Sequence, residues 1–339
     1  MVSNNERKRI LTPDGIIRSF DDFGVSTKTV IAITNIRVNL DHFFNYIPIT
    51  DFTPIEKKRG RKKRICIETP TINLPFGTVV MIQRKREFRG IQLKTKNKRT
   101  NTYFLHSITI VLCIHNNKFV NVKISANGKF QITGCKSDDH YEQSILAILK
   151  ILQDIEHMTG ESVFHLVDEH GNQCNYLRVI FNTVMQNVDF NLGFSICRYN
   201  LNTYINQKTE YHSIFEGSIG TGVNIKIPIN NHSDNELLRI THHLNTKESV
   251  RDMVPLQAYN EMLDEKEQKK ENKKPRYHTF LIFASGSVIM SSRGSDMKPT
   301  FHKLINILLS HRKHFENVES KEGFLTTKRK KKKSTKIDT

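Results

Sequence analysis

The chain has 339 residues, 37% of them hydrophobic and 25% charged, and carries a formal net charge of +18. That length holds one large domain or two small ones, and no apolar run approaches the roughly 18 residues of a membrane-spanning helix. Five scattered cysteines without a C-x-x-C pair exclude a zinc ribbon and a disulfide framework, and fit a reducing compartment.

In chain order, "MVSNNERKRI" lacks an apolar leader core, so nothing there suggests secretion, and residues 1–25 read as a loosely ordered N-terminal tail. A first β-rich unit spans 26–160. It opens with the strand pattern "TVIAITNIRVNL" and continues through "EFRGIQLK" and "SITIVLCIHNNKFVNVKISANGKFQITG". It closes in a helix, where Ile145, Ile148, Leu149, Leu152 and Ile155 recur at helical spacing, Ser137 or Asp138 can cap the start and Gly160 the end. A basic insertion interrupts this unit at about 52–66 and includes the run "KKRGRKKR".

A second unit, 175–319, repeats the order. "LRVIFNTVMQNVDF" answers the opening strand, with Asn182 against Asn35, and "IFEGSIGTG" answers "EFRGIQLKT", with Phe215 against Phe88. The hairpin "YHTFLIFASGSVIMSS" answers "NVKISANGKFQITG", putting Phe283 where the first copy has Ser125. A helix from about Pro299 presents Phe301, Leu304, Ile305 and Leu308 on one face. A charged insertion at about 230–274, containing "DEKEQKKENKK", reads as a mobile surface excursion, and 320–339 as a basic C-terminal tail containing "KRKKKK". The two basic runs hold most of the net charge and suit a polyanion partner; a solubilising tail or import signal is the bland alternative for each.

Two β-rich units that each end in a helix predict an α+β fold, an antiparallel sheet with helices on one face and the other face open. Side-chain alternation sorts the hairpins. Val122, Ile124, Phe130 and Ile132 form an apolar side, while Lys123, Ser125, Gln131 and Thr133 form a mixed one. In the second hairpin the mixed side shows Leu281, Phe283, Ile289 and Ser291. Cover for Phe283 from the 230–274 insertion is the competing expectation.

An Asn-bearing strand, Phe-x-Gly, "LIF-x-SG" and a helix, written twice, resemble the TATA-box-binding protein family over roughly residues 29–318. "FLIFASGS" and "ANGKFQITGCKSDD" are the nearest stretches. The divergence and the Asn-, Lys- and Ile-rich composition suggest a large DNA virus as the source. The resemblance implies a pseudo-symmetric saddle, a curved antiparallel sheet with helices on its convex face. The concave face would sit in the minor groove of AT-rich promoter DNA and bend it. RNA polymerase and general transcription factors would be partners, in a nucleus or at a viral replication site. On the same basis Asn35 and Asn182 would donate to central base acceptors, and Thr133 and Ser291 would supply hydroxyls. Val184 and Ile289 would line the floor, Phe215 and Phe283 would be the second-repeat wedges, and Phe88 a first-repeat wedge.

Ser125, Arg37 and Gln131 depart from the family pattern. They imply a DNA surface with unequal halves, or a saddle-fold scaffold for transcription proteins with weak or non-specific DNA binding. No catalytic site or cofactor is expected. "GSIGTG" opens no suitable helix, the histidines lack metal-ligand spacing, and Asp138-Asp139 sit where a helix cap is wanted.

Overall fold

The computed structural model describes residues 8–12, 14–51, 56–59, 62–65, 74–91, 106–229, 236–273, 276–293 and 297–317. The C-terminal tail expected at 320–339 and part of the basic insertion expected at about 52–66 lie outside these residues. The first unit holds β1 (Thr27–Thr34), β2 (Ile36–Val38), α1 (Leu40–Tyr46), β3 (Glu56–Arg59), β4 (Lys62–Ile65), β5 (Val79–Arg84) and β6 (Glu87–Gly90). It continues with β7 (Ser107–Ile114), β8 (Lys118–Ser125), β9 (Lys129–Cys135) and the long helix α2 (Asp138–Thr159). After β10 (Phe164–Leu166) come β11 (Tyr176–Asn191), α3 (Arg198–Lys208), β12 (His212–Ile214) and β13 (Val223–Pro228). The remainder is β14 (Glu236–His243), β15 (Ser249–Pro255), α4 (Leu256–Glu261), α5 (Glu265–Lys273), β16 (Tyr277–Ile282), β17 (Ser287–Ser292) and α6 (Lys298–Ser310).

Eleven strands follow one path, β12-β13-β16-β17-β11-β1-β9-β8-β7-β5-β6, with β14 and β15 attached to β11 beside it. All the recorded pairings within this sheet are antiparallel. One side-chain set of each strand is buried under the helices. In the first unit Val30, Ala32, Val122, Ile124, Phe130 and Ile132 pack with Ile145, Ile148, Leu152 and Ile155 of α2. In the second, Val188, Phe190, Phe280, Ile282, Val288 and Met290 pack with Phe301, Leu304, Ile305 and Leu308 of α6. Both helices are therefore where the apolar spacing puts them; Asp138 and Asp139 occupy the first turn of α2, and Gly160 ends it at φ 71°.

The contacts of the first unit recur 158 residues later (29 to 187, 128 to 286). Thr29 pairs with Thr133, and Asn187 with Ser291. Thr34 N donates to Gly128 O at 2.9 Å and Leu192 N to Gly286 O at 2.8 Å; Val38 N donates to Ala126 O and Ile196 N to Ala284 O. The two series meet where Lys28 pairs with Gln186. This register matches Ser125 with Phe283, as the hairpin comparison expects, and it also matches Gln131 with Ile289 and Thr133 with Ser291. It corrects Asn35 with Asn182: the structural counterpart of Asn35 is Gly193, and that of Asn182 is Gly24. The cause is that β11 has 16 residues and β1 has eight, so the upstream part of β11 has no strand counterpart in the first unit.

Two further expectations are corrected. The described part of the N-terminal segment is packed: Ile10 is fully buried, and the Phe20 and Phe23 rings lie 5.3 and 5.8 Å from Phe301. The described part of the 230–274 insertion is built into the molecule. β14 pairs with Tyr176–Ile180 of β11 and β15 pairs with β14. Leu238 and Ile240 pack on the core beneath α2, and Val254, Tyr259 and Leu263 are buried on the other side of the sheet.

Candidate nucleic-acid interface

The sheet face away from α2 and α6 carries the mixed side-chain set. In its second half Leu281 pairs with Ile289, Thr279 with Ser291, and Ser291 with Asn187. All of these side chains are half-buried, as is Phe283 just past the end of β16. The result is an apolar strip bordered by two hydroxyls and an amide, with one aromatic ring at the turn. The turn itself is tight: Phe283 N donates to Ser287 O, and Gly286 N to Phe283 O, both at 2.9 Å.

The first half is built differently. Ser125, Gln131, Lys123 and Thr133 are half-buried, and Thr133 Oγ1 donates to Asn121 O at 3.4 Å. Burial pushes the Lys123 ammonium below the usual lysine range. Phe88 does reach this face. It pairs with Gln83 in a register where Ile82 faces the core, and it packs with Met81, Val111 and Phe119. Sequence reasoning missed Phe119, although it alternates with the core residues Val120 and Val122 and so had to face the mixed side.

α4 and α5 lie over the part of this face nearest the first hairpin turn. Ile33 and Ile180 are buried against Val254, Tyr259 and Leu263, with Ile31, Leu256, Ala258 and Met262 around them. Beyond α4, Glu267 of α5 pairs with Lys129, the first residue of β9 and four positions from Ser125. The insertion therefore covers the face around Ile31, Ile33 and Ile180 and reaches Lys129, whereas the competing expectation from the sequence put such a cover over Phe283.

Other proposed site residues sit elsewhere. Asn35 is 5% exposed, so it presents nothing to a ligand. Its Nδ2 donates to Tyr176 O at 2.9 Å and its Oδ1 accepts from Arg178 N at 2.7 Å, fastening β1 to the start of β11. Arg37 lies on β2, outside the large sheet, and donates to Asn127 O at 2.7 Å, bracing the first hairpin turn. Phe215 packs against the core beneath α6, with the Arg198 guanidinium 4.9 Å from its ring centroid. Ser213, at the same strand parity, hydrogen-bonds Asn202 of α3, so Ile214, 50% exposed, is the apolar side chain turned the other way. Val184 falls at the register irregularity between β1 and β11. Asn182 lines a cavity of about 250 Å³ at the junction of the halves, with Lys28, Asp138, Arg276 and Arg293. Among the described residues no group of three or more His, Cys, Asp or Glu could hold a metal ion.

No family model matches the chain. Uncharacterized protein 335L of Invertebrate iridescent virus 6 is 24% identical over 305 residues, covering 87% of this chain and 86% of that protein. A TATA-box-binding protein-like protein of Acanthamoeba polyphaga mimivirus is 31% identical over 67 residues, 19% of this chain and 18% of that one. The chain is similar to TATA-box-binding proteins. Among solved structures, the Methanococcus jannaschii TBP aligns with 85% of this chain and 98% of its own at 12% identity, with a TM-score of 0.39. The sequence similarity to the mimivirus protein is thus local, and the similarity to the iridescent virus protein runs through most of both chains.

Proposed function

We propose that this protein is a divergent TATA-box-binding-protein-like initiation factor. Its sheet would be a pseudo-symmetric saddle that grips AT-rich promoter DNA through the minor groove and bends it. The observation that carries this reading is Phe283, an aromatic at a tight turn beside an apolar strip of Leu281 and Ile289. A minor groove over A·T pairs offers acceptors alone, so a surface of apolar groups with a few hydroxyl and amide donors suits it. Ser291, Thr279 and Asn187 supply those donors, and Phe283 is the side chain that would enter a base step and open it. The net charge of +18 adds sequence-independent attraction to the phosphates. The helices on the opposite side would meet RNA polymerase and general transcription factors, in a nucleus or at a viral replication site.

Titration of fluorescent AT-rich and GC-rich duplexes at two salt concentrations, with Phe283→Ala alongside, tests this. The expected outcome is a preference for AT and a loss of about 10-fold or more in affinity for the variant, consistent with base-stacking energies. Equal, purely salt-driven binding of both duplexes, unaffected by the substitution, would sink it. A second reading is favoured by α4 and α5 lying on the sheet: a scaffold that binds transcription proteins, its DNA contacts confined to the basic segments. That reading expects the equal, salt-driven result.

A further inference from the structure

We infer that the two halves of the open face have different occupants: the chain's own α4 and α5 on the part of the first half nearest its hairpin turn, and a short stretch of duplex on the second. This rests on the DNA-binding reading and fixes the extent of the site. Tyr259, Leu263 and Val254 bury Ile33 and Ile180 to 8% exposure or less. A surface closed to that degree cannot touch a duplex at the same time. The cover is tied to the sheet through the same chain, and a tethered occupant acts at an effective concentration of order millimolar. The Lys129–Glu267 pair closes its far end.

Among the described residues outside the cover, Phe88 and Phe119 are the rings that the first half turns to this face. Phe88 and Phe119 are packed with Met81 and Val111, and the turn position equivalent to Phe283 is Ser125. The Ser125 substitution and the cover thus agree: a wedge is absent where the insertion reaches the hairpin. The uncovered half runs from the part of β11 that pairs with β17, Gln186–Asn191, through β17, β16 and β13 to β12. Its four strand-to-strand steps span about 19 Å, or about five to six base-pair rises.

Hydroxyl-radical footprinting of the full chain on an AT-rich duplex reads the site length, and amine acylation followed by mass spectrometry reads access to Lys129. Wild type is expected to protect about five base pairs, with Lys129 slow to react whether or not duplex is present. Glu267→Ala with Leu263→Ala should speed acylation of Lys129 and lengthen the footprint by about three to four base pairs, as β1, β9 and β8 become available. A long wild-type footprint, or a reactive Lys129 in wild type, overturns the divided face and leaves DNA binding standing. A reactive Lys129 in the variant with an unchanged footprint also overturns it. If the variant fails to fold, the two wild-type readings decide. Absence of any Phe283-dependent protection removes the DNA-binding reading itself, and the division of its site with it.

Discussion

Gly128 and Gly286 occupy the same place in the two hairpins, at φ 80° and 77°. A Cβ on Gly128 would come to 2.3 Å from Ile36 O, and one on Gly286 to 2.1 Å from Phe194 O. Both the torsion and the contact demand glycine, because the hairpin turn is pressed against the backbone that leads into α1 or α3. Gly286→Ala is expected to cost about 2–4 kcal/mol from strain and backbone displacement. Urea unfolding should show a lower midpoint with an unchanged slope; a variant within about 0.5 kcal/mol of wild type would mean that the turn can give way. At this scale Ser125 and Phe283 were legible in the sequence because the identical Ala-x-Gly or Ala-Ser-Gly context fixes their register. Asn35 was not. Its amide satisfies Tyr176 O and Arg178 N, partners more than 140 positions away, and no local pattern announces so distant a hydrogen bond.

Among the elements, α2 and α6 were readable because one helix face repeats Ile or Leu at a 3.6-residue period. The hairpins were readable because alternation and a glycine turn coincide. The insertion was not, since its composition is polar and its buried residues are spread over two strands and a short helix. Leu237, Val254, Tyr259 and Leu263 form a cluster only when β14 pairs with the upstream part of β11, bringing them over Ile33 and Ile180. Each fully buried aliphatic side chain there contributes about 1.5–3 kcal/mol, so the insertion holds to the sheet as a small core. Tyr259→Ala should therefore speed amide hydrogen exchange in α4 and β15 and leave the β16–β17 hairpin and α6 at wild-type protection. Uniform loss of protection across the chain would show that this cluster supports the whole fold and is not a separate unit.

For the whole molecule, charge and shape act on different terms. The six cations of Lys328–Lys333 lie in the basic tail, where on a duplex they would add counterion release without sequence information. Removal of 320–339 should lower the slope of log K against log salt by up to about five, while the ratio of wild-type to Phe283→Ala affinity stays the same. A change in that ratio would mean that the tail helps to place the duplex on the sheet.

The unequal lengths of β1 and β11 have a further consequence. A face built from two identical halves would accept a run of A·T pairs in either direction, because the groove acceptors of A·T and T·A are nearly the same. Here the longer strand creates an attachment line for β14 on one side only, and the helices that follow close over Ile33 and Ile180 at that side. The molecule thereby acquires a front and a back. A duplex seated on it would have to leave in one direction, past β12, and a polymerase recruited to the opposite side would inherit that heading.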